Sequence, residues 1–256
     1  MYTCINCGVE VEELYRRYSP SVLKVLKCRD NRSLCNLDPR GPLFQTNCGS
    51  LADKYIEYDP VIVLVDVVLL EKPAYRHLLY NSKFESYWKL MLILLLSESY
   101  RVWAIHDSST DPLKTDRFEG ERGFSILLAH TGLSLGSFVI AVILGTELRW
   151  LVSQRRPRKY KATDLVRALI VGGCAKLLGL LGLVWQHVSH ELHYALIHGY
   201  TMLCLLTAYS VVCESGRGGS LIGLAAGLLA HNYVSTWVWL PSFTQNITIV
   251  QSDIRG

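Results

Sequence analysis

Charged residues are scarce in this 256-residue sequence, where they make up 19% of the chain, against about 25% in an average soluble domain. Cations and anions almost cancel to a net charge of +4, and no basic stripe with interleaved aromatic residues is present. Nucleic-acid binding is therefore not expected. Half of the residues are hydrophobic, which excludes a disordered chain, a collagen or a coiled coil and favours an integral membrane protein.

A secretory signal is also missing from the first residues, which have neither a basic flank nor an apolar core. Five of the eight cysteines nevertheless lie in the first 48 residues, namely Cys4, Cys7, Cys28, Cys35 and Cys48. Without export, a disulfide framework is not expected for them. A reduced metal site that faces the cytosol is the better interpretation of this N-terminal group.

Catalytic motifs do not stand out either. The sequence has no Gly-rich phosphate loop, no Ser/His/Asp arrangement and no evident pair of catalytic carboxylates. The histidines of residues 187–193 do not complete the His-Glu-x-x-His pattern of metalloproteases, because position 194 is a tyrosine. The motifs therefore indicate no catalytic site, and we interpret residues 187–193 as a polar loop.

What the sequence does have is long apolar runs. Five of them approach the roughly 20 residues that a membrane-spanning helix needs, at residues 88–105, 124–148, 165–185, 194–213 and 221–240. An earlier run, residues 60–70, is too short to span and contains Asp66. We interpret it as an interfacial helix, with a core strand as the alternative. The predicted fold class is an α-helical polytopic membrane protein.

Four regions follow from these runs. We expect a soluble module over residues 1–59, an interfacial amphipathic segment over 60–85, a helical bundle of about five spans over 86–241, and a tail over 242–256. Seven cations and one acid lie between the second and third spans, so that loop is expected to be cytosolic. The N-terminus is then cytosolic and the tail luminal, where the sequon at Asn246 is a candidate for glycosylation.

The N-terminal cysteines form metal-ligand patterns. Cys4 and Cys7 are three positions apart and Gly8 follows, which is the form of a zinc knuckle. Cys48 is likewise followed by a glycine, and Cys28 is the candidate partner, although residues 29–47 separate the two. We predict a structural zinc site with ligands Cys4, Cys7, Cys28 and Cys48, and with Cys35 spare. The alternative is a set of free reduced thiols.

Three further segments accompany Cys4-x-x-Cys7: residues 14–18 (LYRRY), 52–59 (ADKYIEYD) and 74–81 (AYRHLLYN). Together they resemble the Arv family of endoplasmic-reticulum membrane proteins, which act in sterol and lipid homeostasis. The resemblance is specific over residues 2–28 and 48–85, and beyond residue 86 it is a matching pattern of hydrophobic spans. It implies a cytosolic zinc-ribbon-like domain ahead of several membrane helices. The family has a second CxxC, which about 17 extra residues split in this sequence.

The resemblance also implies a function. The expected protein is a multi-pass protein of the endoplasmic reticulum that mediates sterol transport out of that membrane and affects sphingolipids and GPI-anchor synthesis. The alternative is a catalytic or non-catalytic subunit, or a scaffold, of a lipid-modifying complex such as GPI-anchor assembly. Expected partners are membrane lipids, chiefly sterol, and lipid-synthesis membrane proteins. The predicted lipid or partner surface comprises Asp53, Tyr55, Glu57, Tyr58, Asp59, Tyr75, Arg76 and His77.

Charged residues inside the predicted spans are a separate feature. Glu98, Arg101 and Lys176 each need a partner or water, because a charge at membrane depth costs roughly 2.5–3.5 kcal/mol. Glu98 and Arg101 are spaced to pair along one helix face. Lys176 lies deeper, and we expect either a role in a polar path or snorkelling to the interface. Small residues such as Gly223 and Gly227 predict close helix packing.

Overall fold

The computed structural model describes residues 2–19, 22–28, 48–82, 84–107, 117–153, 160–180, 190–214 and 217–253. The chain divides into two compact units, Met1–Glu85 and Ser86–Gly256. Cys35 with the whole 29–47 segment, His187, and residues 154–159 of the basic loop between the second and third predicted spans lie outside the described residues.

The first unit begins with two small antiparallel pairs of strands. Strands β1 (Tyr2–Thr3) and β2 (Glu10–Val11) pair with Tyr2 opposite Val11, and β3 (Tyr15–Ser19) and β4 (Val22–Val25) form a hairpin with Tyr15 opposite Val25. Their core is small, and its buried members are Cys4, Val11, Leu14, Cys28 and Ala52. A core of this size supplies little stability by itself.

Short helices complete the first unit. A 3-10 turn at Lys54–Glu57 is followed by α1 (Pro60–Val68), α2 (Lys72–Arg76) and a π-helical turn at His77–Asn81. Pro60 stands at the first position of α1, where its fixed φ suits a helix start and its missing N–H costs nothing. A second core cluster joins these helices to the cysteine loop through Ile5, Tyr55, Val63 and Ala74.

The second unit is helical. Its main elements are α3 (Tyr87–Asp107), α4 (Arg117–Ser153), α5 (Ala162–Gly173), a 3-10 turn (Cys174–Leu177), α6 (His190–Cys213) and α7 (Arg217–Asp253). Helix α4 packs mainly on α7, and α5 packs mainly on α6. A Cβ at Gly172 would lie 3.1 Å from the Leu205 Cα, and a Cβ at Gly227 would collide with Val142. These glycines therefore permit the close helix packing that the sequence predicts.

Two helices of the described residues are long and apolar enough to cross a membrane, over Phe124–Val152 and Ala195–Cys213. They coincide with the second and fourth predicted spans. The third predicted span differs, because α5 ends at Gly173 and gives way to the 3-10 turn. The fifth differs as well, since α7 continues to Asp253 and so into the predicted tail. Hydropathy marks the apolar part of a helix but does not fix where its backbone hydrogen bonds end.

Candidate metal centre

The structure brings together the four thiols that the sequence predicts as ligands. The Sγ atoms of Cys4, Cys7, Cys28 and Cys48 all lie within 4.8 Å of one another. The Cys4–Cys48 distance is 3.8 Å and the Cys7–Cys28 distance is 3.6 Å. A tetrahedral site with metal–sulfur bonds of about 2.3 Å has sulfur–sulfur edges of about 3.8 Å. The four thiols therefore fit a tetrahedral metal ion without rearrangement of the backbone.

Glycines shape both cysteine turns. Gly8 has a φ of +79° and Gly49 a φ of +65°, in the left-handed region that glycine adopts without a Cβ penalty. In the first turn, the Gly8 N–H donates to the Cys4 carbonyl at 2.9 Å, and the Cys4 N–H donates to Val9 at 2.8 Å. Cys48 is followed by Gly49 with the same left-handed backbone conformation that Gly8 has after Cys7.

Backbone pairing holds the second pair of thiols together across the long insertion. The Cys28 N–H donates to the Ser50 carbonyl at 2.8 Å, and the Ala52 N–H donates to the Leu26 carbonyl at the same distance. Between them, Lys27 and Leu51 form an antiparallel bridge. Cys28 is thus held beside Cys48 by main-chain bonds on both sides of residues 29–47.

The thiols differ in how readily they ionise. Burial raises the pKa of Cys4, and burial together with the neighbouring thiols raises the pKa of Cys28. Burial also opposes ionisation of Cys48, but hydrogen bonds from the Ser50 backbone and the other thiols outweigh it and lower the Cys48 pKa. Four thiolates cannot share this space without a cation, since each adds a like charge. A bound metal ion would supply that charge.

A buried carboxylate organises the residues behind the thiols. Asp53 is fully buried and accepts the Tyr55 N–H at 3.0 Å, the His77 Nδ1 proton at 2.7 Å and the Asn81 amide at 2.7 Å. Asn81 in turn accepts the Thr3 N–H at 2.9 Å and donates to the Thr3 carbonyl at 2.8 Å. The network fixes the strand beside Cys4 against the 77–81 turn.

Arg76 supports the first knuckle directly. Its Nη1 donates to the carbonyls of Ile5, at 2.9 Å, and Asn6, at 2.5 Å, which lie between the first two cysteines. A charged donor to two loop carbonyls is stronger than a neutral one. This guanidinium therefore holds the loop in the shape that presents both thiols.

The predicted lipid or partner surface needs correction. Asp53, Tyr55 and Tyr75 are at most 2% exposed, so they do not line a surface of this unit. The Tyr55 hydroxyl donates a hydrogen bond to Asp66 at 2.7 Å. The pKa of Tyr55 is raised, chiefly by burial and secondly by the Asp66 carboxylate. Asp53 and Tyr55 can be buried because each has hydrogen-bond partners inside the module.

The other members of that predicted surface divide into two groups. Arg76 and His77 are half-buried and point their polar atoms inward, whereas Glu57, Tyr58 and Asp59 are exposed. Sequence reasoning missed Asn81 and Asp66 as members of the network. Asp66 carried one signal, because it is the only charged residue in the apolar run 60–70.

A four-thiol module ahead of helices long enough to cross a bilayer defines a class, that of helical membrane proteins with an N-terminal cysteine module. The chain belongs to the Arv1-like family, whose profile matches residues 3–36 and 45–209. It is 33% identical over 240 residues to Protein ARV1 of Mus musculus, covering 91% of this chain and 82% of the relative. It is 32% identical over 235 residues to Protein ARV1 of Bos taurus, covering 90% and 76%.

Protein ARV1 of Homo sapiens is 30% identical over 236 residues, with 90% of this chain and 79% of the relative covered. No solved structure matches the chain at a significant level. The family profile includes all four clustered cysteines and skips residues 37–44, which lie inside the segment that the sequence identifies as an insertion. Family membership and the two apolar helices together support a membrane protein.

Proposed function

We propose that this protein mediates sterol transport from the endoplasmic reticulum and thereby acts in membrane lipid homeostasis, including that of sphingolipids. Membership of the Arv1-like family and the two apolar helices support a role at a membrane. The observation that carries the proposal is the apolar outer face of α1, in the unit that contains the four thiols. The protein acts as a mediator and not as an enzyme.

Helix α1 has a contiguous set of exposed apolar side chains, which is unusual for a soluble domain. Its buried residue is Val63, and its neighbours on the outer faces are 44–65% exposed. Contiguous exposed apolar side chains of this kind mark a membrane or protein interaction site. They are Val61, Ile62, Leu64, Val65, Val68 and the following Leu69. We propose that this face lies in the interfacial layer of the membrane.

The metal in the proposal is zinc. Four thiolates in a closed tetrahedron are the ligand set of structural zinc sites, which leave no open position for a substrate. A bound ion would link Cys4 and Cys7 to Cys28 and Cys48 and so stabilise a unit with a small core. The proposed role of the zinc ion is to stabilise the cysteine turns against which α1 and the 77–81 turn pack.

A reconstitution assay tests the transport function. The full chain is placed in donor vesicles, and transfer of labelled sterol to acceptor vesicles is measured. We expect the protein to accelerate transfer, and the variant Leu64→Asp/Val68→Asp to lose that gain because charged side chains oppose interfacial insertion. Tyr18→Asp is the matched control, since Tyr18 is 65% exposed but lies on the β3–β4 hairpin.

Unaltered sterol transfer in the presence of the intact protein would contradict transport. An equal loss in the Tyr18→Asp control would contradict the assignment of the membrane contact to α1. The intact protein could fail to transfer sterol and instead co-purify stoichiometrically with lipid-synthesis membrane proteins. That result would favour the alternative function, a subunit or scaffold of a complex such as GPI-anchor assembly.

A further inference from the structure

Arg76 reaches the first cysteine turn from a distant part of the first unit. It is the last residue of α2 and belongs to the segment 60–85, which the sequence predicts to be interfacial. Its Nη1 donates to the Ile5 carbonyl at 2.9 Å and to the Asn6 carbonyl at 2.5 Å, across 71 and 70 positions of the chain. One nitrogen atom therefore binds two consecutive peptide groups of the turn.

The N–H ends of the same two peptide groups face the Cys4 sulfur. The backbone N–H groups of Asn6 and Cys7 hydrogen-bond the Cys4 thiol. A carbonyl and the N–H of the next residue belong to one planar peptide group, so the carbonyls of Ile5 and Asn6 are the other ends of these two donors. Each peptide group thus has the Arg76 guanidinium at its carbonyl end and the Cys4 sulfur at its N–H end.

This arrangement favours the thiolate, which is the form of cysteine that binds a metal. Each peptide group has a dipole of about 3.5 D with its positive end at the N–H. A cation at the carbonyl end polarises the group further, since hydrogen bonds in a chain strengthen one another. Both N–H groups therefore become better donors to a negatively charged sulfur.

The guanidinium is held in this position by the packing around it. A Cβ at Gly8 would lie 3.7 Å from Arg76 Cζ, so the charged group lies against the backbone of the cysteine turn. Ala74 and Tyr75, which precede Arg76 in α2, are at most 1% exposed and anchor the helix in the core of the unit. The contacts of Arg76 with the turn therefore belong to the packed structure of the unit.

We propose that Arg76 is a positioning residue of the metal site, which acts on the Cys4 sulfur through two peptide groups and raises the metal affinity of the four thiols. Residues outside the ligand set commonly tune metal sites in this way. If Arg76 served only to hold the loop in shape, its charge would not matter and the sulfur would not sense its removal. The proposal rests on metal binding by the four thiols and does not depend on sterol transport.

Metal titration of the full chain tests the proposal. The purified protein is stripped of metal in detergent, kept reduced and titrated with Co²⁺, and the Zn²⁺ affinity is then measured by competition with a chelator. We expect Arg76→Met to lower the Zn²⁺ affinity about 10–100-fold, the usual cost of removing a partner outside the ligand set. Arg76→Lys should retain most of the affinity, because one nitrogen makes both bonds and an ammonium can replace it.

The absorption spectrum of the Co²⁺-loaded protein reports on the sulfur atoms themselves. In Arg76→Met we expect the sulfur-to-cobalt charge-transfer band to move to longer wavelength, because weaker N–H bonds hold the sulfur electrons less tightly. The ligand-field bands should keep the intensity of a tetrahedral site, since the four ligands are unchanged. If the affinity falls without a shift of the charge-transfer band, Arg76 only holds the loop in shape and the proposal is wrong.

Lys72→Met is the matched control, because it removes a cation from the exposed start of the same helix. It should change neither the Zn²⁺ affinity nor the charge-transfer band. An equal loss in Lys72→Met would show that the overall charge, and not the contact with the turn, sets the affinity. That result would overturn the proposal, as would an unchanged affinity in a folded Arg76→Met protein.

A second variant keeps the test decisive if Arg76→Met fails to fold. Arg76→Gln removes the charge but keeps a polar side chain, and we expect the same loss of affinity and the same shift of the band from it. An unaltered chain that takes up no Co²⁺ would overturn the metal site and this proposal together. Equal affinities of the unaltered chain and Arg76→Gln would overturn this proposal alone.

Discussion

At the scale of single residues, the thiols of the first unit depend on a cation to ionise together. Burial raises the pKa of Cys4 and Cys28, whereas the Ser50 backbone and neighbouring thiols lower that of Cys48. A metal ion that binds here would therefore release protons from at least Cys4 and Cys28, the two thiols whose pKa is raised. The proton release ties the affinity of the site to pH, and the affinity falls as acid competes for the sulfurs.

The zinc assignment predicts about one zinc ion per purified chain by elemental analysis. Cys4→Ser should reduce the bound zinc severely, because it removes one of four ligands in a closed site and leaves an oxygen that binds zinc poorly. The same loss is expected for Cys48→Ser. Serine is close in size to cysteine, so packing is preserved and the effect reports on coordination.

Cys35→Ser provides the control for this measurement. It removes a thiol of the same N-terminal group that is not among the four predicted ligands. Zinc content should stay at the level of the unaltered protein. If zinc is retained in Cys4→Ser, or is lost in Cys35→Ser, the ligand set named here is incorrect.

Residue patterns predicted the four-thiol cluster better than they predicted the exposed surface. The spacing of Cys4 and Cys7, and the glycines that follow Cys7 and Cys48, pointed to cysteines that the structure brings together. The position of Asp53 was not predictable in this way, because its partners His77 and Asn81 are more than 20 residues away. An acidic stretch was therefore interpreted as surface although its first member is buried.

At the scale of elements, close approach explains where the helices of the second unit pack. A Cβ at Gly223 would collide with Tyr209 of α6, and one at Gly227 would collide with Val142 of α4. The Tyr209 hydroxyl also hydrogen-bonds Thr146 at 2.8 Å, which joins α6 to α4. One stripe of small residues on α7 thus serves contacts with two neighbouring helices.

Gly227→Ala is therefore expected to destabilise the helical unit by about 1–3 kcal/mol, the usual cost of overpacking. The new Cβ would lie within 3.0 Å of Phe138 as well as against Val142. Alanine has the higher helix propensity by about 0.8–1.0 kcal/mol, so propensity alone predicts the opposite sign. Thermal unfolding in detergent, followed by circular dichroism, measures the change.

Gly199→Ala is the control, because a Cβ at that position of α6 meets no neighbouring side chain or packed helix within 4 Å among the described residues. It should leave the melting temperature unchanged or raise it slightly through helix propensity. If both variants shift the melting temperature in the same direction by the same amount, close packing at Gly227 does not determine the stability of the unit.

Helices of the second unit could be predicted from the sequence where the apolar run was long. The runs 124–148 and 194–213 correspond to the two helices that are apolar enough to span a membrane. The strands of the first unit are two to five residues long, too short for an alternating pattern to emerge. The 3-10 turn that ends α5 is not predictable from hydropathy, because an apolar run does not report a change in backbone hydrogen bonding.

At the scale of the whole molecule, the two units are stabilised by different means. The first has small cores, a four-thiol cluster and a buried polar network around Asp53. The second depends on helix packing, and it also contains ion pairs such as that of Glu98 with Lys176. A metal chelator should therefore act on the first unit and leave the helices of the second in place.

The orientation of the chain is a prediction from the distribution of its cations. Arg149, Lys161, Arg167 and four more cations lie in or beside the loop between the second and third predicted spans. Loops rich in Lys and Arg stay on the cytosolic side. With the five predicted spans, we expect the thiols in the reducing cytosol and Asn246, beyond the fifth predicted span, in the lumen.

This orientation predicts a glycan on Asn246 when the full chain is synthesised with endoplasmic-reticulum membranes. A glycosidase should shift the protein to a lower mass on a gel, and Asn246→Gln should abolish the shift by removing the acceptor. Asn31→Gln is the control, since it removes a sequon of the same type from the module predicted to be cytosolic. A shift that survives in Asn246→Gln and disappears in Asn31→Gln would place the thiols in the lumen, where an oxidising environment favours disulfides over a thiolate-bound metal.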